Sequence, residues 1–165
     1  MNFLKILLIS CLLLLSSGLK AYPIRRTNNF SSYKDPLNEF GYGINAVFLK
    51  NENQLAPQLT IYYSRDLTNY FSIGVSYFGI YYKHYQNALA AKISFKIIDN
   101  LVFSFNPGIF FRNDTYRNQT LYFFGFESAY QFKLSDKIGI GPMFDLQIIQ
   151  DDFYLIGGLQ MAFYF

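Results

Sequence analysis

The chain has 165 residues, a formal net charge of +3 and 52% hydrophobic residues, a length suited to one domain. Its charge is too small and too dispersed for a nucleic-acid surface, and no nucleic-acid partner is expected. The outlier is aromatic content, 21% of the chain from 19 Phe and 15 Tyr with no Trp, which calls for a very large core or a surface that prefers lipid.

A positive start at Met1 to Lys5, an aliphatic run from Ile6 to Leu15 and a small, polar exit at Ser16 to Ala21 predict a cleaved signal peptide over residues 1–21. The apolar run, about ten residues, is half of what a spanning helix needs. Cys11, the only cysteine, lies inside it, and the run continues through Leu15 instead of ending at the cysteine as an acylation box would. The remaining chain then has no thiol for a disulfide, a metal site or a nucleophile, and no cofactor is expected. Residues 22–39, with Arg25, Arg26 and Pro36, show no apolar period and are expected to form a flexible arm.

From residue 40 onward the apolar period is two, not 3.6, in segments each ended by a turn signal. Eight strands are predicted, at 40–50, 56–65, 70–82, 88–98, 101–111, 121–134, 137–149 and 153–165. Tight Asp/Asn turns at 66–69, 99–100 and 135–136 follow even-numbered strands, whereas the connections at 51–54, 83–87 and 112–120 look longer and more polar.

The two parities differ in chemistry. One carries Leu59, Ile61, Phe71, Ile73, Val75, Ile93, Phe95, Phe103, Phe105, Phe124, Phe126, Phe144 and Leu146, with hardly a charge. The other carries Gln58, Thr60, Ser72, Ser94, Ser104, Asn106, Gln147 and Gln160 with glycines between them. Polar inside and aromatic outside inverts the soluble arrangement, and it is stable in lipid if the sheet closes so that no edge is left unpaired. Eight strands suffice to close, and at that number the interior only just holds its own side chains. No open pore is expected.

Lys92, Lys96, Glu127 and Asp145 share the inward parity near mid-height. Charges in so narrow a lumen must be compensated, which predicts a structural ion-pair network filling the barrel; a proton or ion path is the sharper alternative. His84, the single histidine, sits among tyrosines at 81–85 and is a candidate general base. No Ser stands two residues from it and Ser76 lies well below, so a surface cluster of rings is expected and no catalytic residue is assigned. Asp114, Asp151 and Asp152 are expected on the outer side, where cations bridging lipopolysaccharide could bind, but their spacing matches no calcium loop and no metal site is assigned.

In the last strand Phe153, Leu155, Leu159, Met161, Phe163 and Phe165 share one parity, and Gly158, Gln160 and Ala162 the other. Together with the turn Leu134-Ser-Asp-Lys-Ile-Gly-Ile-Gly141, the leader and the alternating strands, this resembles the small eight-stranded outer-membrane proteins of the OmpX-like and OmpA-barrel type, over residues 41–165. The resemblance implies an all-β, eight-stranded antiparallel up-and-down transmembrane β-barrel over residues 40–165, in the cell outer membrane, with the short turns and the arm on the periplasmic side. It also implies outer-membrane lipid and lipopolysaccharide as surroundings, and an assembly signal in Leu159, Met161, Phe163 and Phe165 that barrel-assembly machinery reads. A structural or surface-interaction role with a packed lumen and no enzymatic activity is expected. An enzyme acting on lipid A, by acyl transfer or deacylation, is the second class. A soluble lipocalin-like carrier is the third, and it needs an apolar lumen and a polar exterior.

Overall fold

A computed structural model of the protein describes residues 37–82, 84–98, 100–113, 118–150 and 152–165. The expected leader at 1–21, the arm as far as residue 36, Cys11, Asp114 and Asp151 lie outside the described residues.

Alternating side chains allow each segment to bury one face, and they form the strands β1 (Asn38–Leu49), β2 (Gln54–Asp66), β3 (Phe71–Tyr82), β4 (His84–Ile98), β5 (Leu101–Asn113), β6 (Asn118–Tyr130), β7 (Phe132–Ser135), β8 (Ile138–Ile149) and β9 (Asp152–Tyr164). Neighbours pair antiparallel, and β1 pairs with β9 from Glu39↔Tyr164 to Leu49↔Tyr154, which closes the cylinder. Asn38 and Phe165 finish the seam with two backbone hydrogen bonds, of 2.8 and 3.0 Å. A closed sheet has no free edge, as a membrane barrel requires.

Strands β6 and β7 both pair with β8, on either side of Gln131, so together they form one interrupted stave and the barrel has the expected eight. Gln131 continues the β5–β6 ladder by donating its amide to the carbonyl of Asn100, while on the β8 side the unchanged register sets Tyr130 opposite Pro142, which has no N–H to give. Gly141 faces the break. A Cβ there would overlap the carbonyl oxygen of Tyr130, so the close approach of the two strands depends on glycine.

The strands run further than the alternation predicts. Tyr82 pairs with His84, leaving only residue 83 between β3 and β4, and Asn113 pairs with Asn118. A ladder bonds backbone to backbone, so polar side chains extend it as well as apolar ones do. The expected contrast of long and short connections is therefore much reduced, and His84 belongs to a strand rather than to a loop tip. At the other end β1 begins at Asn38, so Glu39 is part of the barrel rather than of the arm.

The faces separate as the parity predicted. Ile44, Leu59, Ile73, Leu89, Phe103, Phe124, Phe144 and Leu159 are exposed on successive staves around the whole wall, Ile44 to 69%. Exposed apolar surface on this scale does not suit water. Tyr63 and Tyr70 stand outward near the end where Asn38 and Phe165 meet, here the terminal end, and Tyr77, Tyr81, Tyr85 and Tyr122 near the opposite, distal end. Tyrosines toward both ends of an apolar belt match the depths at which amphipathic rings favour headgroups.

Candidate functional site

The interior is the part of the molecule where polar side chains converge, and it has two storeys. The distal storey was not predicted. Val47, Leu49, Ala56, Phe78, Ile80, Ala88, Phe110, Phe123, Ile149, Tyr154 and Ile156 point inward and are buried there. Phe78 meets Phe123 edge-on with centroids 5.2 Å apart, Phe110 lies 6.5 Å from Phe78, and Tyr154 meets Phe110 at 5.9 Å. Such tilted contacts close space efficiently. Arg112 caps them by donating from Nη2 to the Tyr154 hydroxyl at 2.7 Å.

The other storey is polar and extends to the terminal end. Lys92 on β4 reaches across β5 to Glu127 on β6, with Nζ to Oε1 at 2.7 Å and both residues buried. Its ammonium also lies 4.7 Å from the centre of the Tyr62 ring, a favourable position for a desolvated cation. Gln160 and Asn106 donate side-chain amide hydrogens to Glu127 at 3.4 Å each. Asp145 stands opposite Glu127 in the β6–β8 register and accepts from Gln147 at 2.7 Å.

Nearer the terminal end, Glu39 accepts from the Tyr62 hydroxyl at 2.6 Å and from Gln131 at 3.1 Å, while the Tyr164 hydroxyl donates to the Gln131 carbonyl oxygen. The side chain released by the break in the sixth stave thus ties β1 to β9 across the floor of the lumen. A cavity of about 10 Å³ remains between Glu39, Lys92, Glu127 and Gln160, room for one water at most.

Of the four predicted lumen charges, the structure brings together Lys92, Glu127 and Asp145. Lys96 stands apart: it pairs with Asp66 at 2.6 Å beside the β2–β3 turn, both side chains partly exposed. The tilt of the strands places a residue four positions along β4 at the rim. Lys96→Met should therefore cost about 1 kcal/mol or less in urea unfolding of the refolded barrel, because a partly exposed pair gains little. A cost matching that of Lys92→Met would show that both lysines serve the same network. Parity placed Gln131 inward. It missed Glu39, which sits at the very start of a strand that alternation begins at residue 40, and Tyr62, whose aromatic side chain on the polar parity gives no sign of a polar role.

The sheet register sets the backbone of His84 far from Ser76. Ser76 is buried on the lumen side and pairs with Ala90, six residues along β4 from His84, which is about 20 Å of strand. Asp152 accepts a hydrogen bond from the Phe153 amide at 2.8 Å and so caps its own strand. Among the described residues, no group of three or more His, Cys, Asp or Glu could hold a metal ion.

No protein-family model matches the chain, and no curated protein matches it significantly. Solved structures do match in fold. The N-terminal β-barrel domain of Pseudomonas aeruginosa OprF superposes with a TM-score of 0.62 at 12% identity, covering 81% of this chain and 100% of that one. Ail, the attachment invasion locus protein of Yersinia pestis, solved with the heparin analogue sucrose octasulfate, gives 0.58 at 10% identity, over 80% of this chain and 100% of that one. Neisserial surface protein A gives 0.59 at 6%, over 82% and 100%. The fold is that of the small eight-stranded outer-membrane β-barrels.

Proposed function

We propose that this chain is an integral outer-membrane barrel that acts through its wall and rims, in a structural or surface-interaction role, and that its lumen is packed and non-conducting. The observation that carries this reading is the aromatic closure of the distal storey by Phe78, Phe110, Phe123 and Tyr154 above a hydrogen-bonded polar storey. Ions cannot follow a path through close-packed rings. The exposed apolar wall supports lipid as the surroundings, and a lipocalin-like carrier would need the opposite distribution. Export through residues 1–21 belongs to the same reading. So does recognition by barrel-assembly machinery of the outward residues Leu159, Met161, Phe163 and Phe165, of which Met161 accepts a hydrogen bond from Tyr42 and Phe163 stacks on Tyr42 at 6.2 Å.

Two measurements test the reading together. The purified barrel in planar lipid bilayers should give no conductance steps, and a reproducible open channel would overturn the packed lumen. Lipid A from cells with and without the protein should be identical; an acyl-chain difference that disappears in His84→Ala would establish the enzyme instead.

A further inference from the structure

The outer wall is not evenly covered. The register links one row of outward residues across neighbouring strands: Phe71 on β3, Phe95 on β4, Phe103 on β5, Ser128 on β6 and Phe144 on β8. Every member carries a ring except Ser128. With strands about 4.8 Å apart, the Phe103 and Phe144 positions on either side of it are roughly 10 Å apart. Along β6 the same gap is bounded by the next outward residues, Phe126 toward the distal end and Tyr130 toward the terminal end.

Rings around the gap pack away from it. Phe95 lies 5.3 Å from Phe71, on the side remote from β5. Phe105 stacks on Phe124 at 6.0 Å, toward the distal end, and Tyr130 meets Phe132 edge-on at 4.9 Å, toward the terminal end. What remains is a groove of about 400 Å³ between Phe95, Phe103, Phe105, Phe126, Phe144 and Leu146, with Ser128 at its floor. That volume is in the range of ligand sites. Ser104 and Glu127 beneath it turn their side chains into the lumen, where both are buried. The groove is therefore almost wholly apolar.

A wall in a membrane meets either protein or lipid. A second copy related by a two-fold axis would set groove against groove and leave the space unfilled, and a stable protein interface needs about 800 Å² on each side, far more than this slot offers. An extended hydrocarbon chain is narrow enough to lie between Phe103 and Phe144. On β5 and β6 the groove lies close to the terminal end, where Leu101 pairs with Tyr130, so a chain enters it from the headgroups on that side. We infer that the groove over Ser128 holds one acyl chain of a phospholipid. This assignment rests on the membrane-barrel reading above, with the terminal end on the periplasmic side, where the leaflet is phospholipid. Ser128 serves by lacking a ring rather than by offering a hydroxyl.

The test is to refold the full chain in detergent, titrate it with palmitoyl-oleoyl phosphatidylethanolamine and count bound lipid by native mass spectrometry. One lipid should bind saturably. Ser128→Phe continues the row of rings across the groove and should weaken binding by about tenfold or more, the equivalent of two methylene groups left unburied. Ser128→Gly keeps the space and should bind as the parent does, as should Val75→Phe, which adds a ring to the exposed wall on β3. Phe103→Ala/Phe144→Ala lowers both sides of the groove and should also weaken binding; it decides the matter if Ser128→Phe does not refold. The folded band on an unheated gel reports the barrel separately in every sample. A folded barrel that binds no lipid, or binds it equally in Ser128→Phe, would overturn the groove and leave the barrel reading intact, whereas a parent chain with no folded band would overturn both. Displacement of the phospholipid by an equal concentration of lipid A would overturn the phospholipid assignment.

Discussion

Lys92→Met is expected to be the most damaging single substitution in the lumen, at about 3–5 kcal/mol, the cost of leaving buried charge without its partner. It strands two carboxylates, Glu127 and Asp145, which face each other in register between β6 and β8. Glu127→Leu should cost less, because Lys92 retains Asp145 as a neighbouring carboxylate. The double variant Lys92→Met/Glu127→Leu restores the original balance of one negative charge and should recover most of the loss. A coupling of about 1–3 kcal/mol is the signature of residues that act as a pair. The chain has no Trp, so the measurement is urea unfolding in lipid vesicles followed by circular dichroism or by the shift of the folded band on an unheated gel. Strictly additive costs would show that the two side chains fill space independently.

Phe123→Ala and Phe124→Ala, adjacent on β6, should differ sharply although the residue type is the same. Phe123 is 1% exposed and packs edge-on against Phe78 inside the barrel; Phe124 is 50% exposed and faces outward. Truncating Phe123 removes transfer energy and leaves a cavity that the ring of staves cannot collapse around, a cost of about 3–5 kcal/mol. Lipid can move into the space left by Phe124, so only the transfer part is lost, about 2 kcal/mol or less. The measurement is the same unfolding assay in vesicles. Equal costs would mean that position 123 also faces a fluid environment, which would remove the aromatic closure on which the non-conducting reading rests.

The alternation of residues 40–165 carried the class of fold, the number of staves, the antiparallel order and the face that each strand turns outward. Leu59, Phe103, Phe124 and Phe144 were assigned to the wall by parity, and there they stand. Two features were hidden from it. Where a ladder stops depends on backbone pairing, so Asn38, Glu39 and His84 joined strands although their side chains gave no signal. What an inward residue meets depends on its height and on the strand across the lumen. Lys92 and Lys96 share a parity and a strand, yet one pairs across the barrel with Glu127 and the other at the rim with Asp66.

By itself, then, the sequence determined a closed sheet with an apolar exterior, because period-two patterning is a local property that each strand carries alone. Only the tertiary structure decided that the lumen divides into an aromatic storey and a polar one, and that Lys92, Glu127 and Asp145 meet in one cluster. Those outcomes follow from tilt and register. Tilt and register exist only once eight strands have closed on one another, because closure links the stagger of the strands to their number.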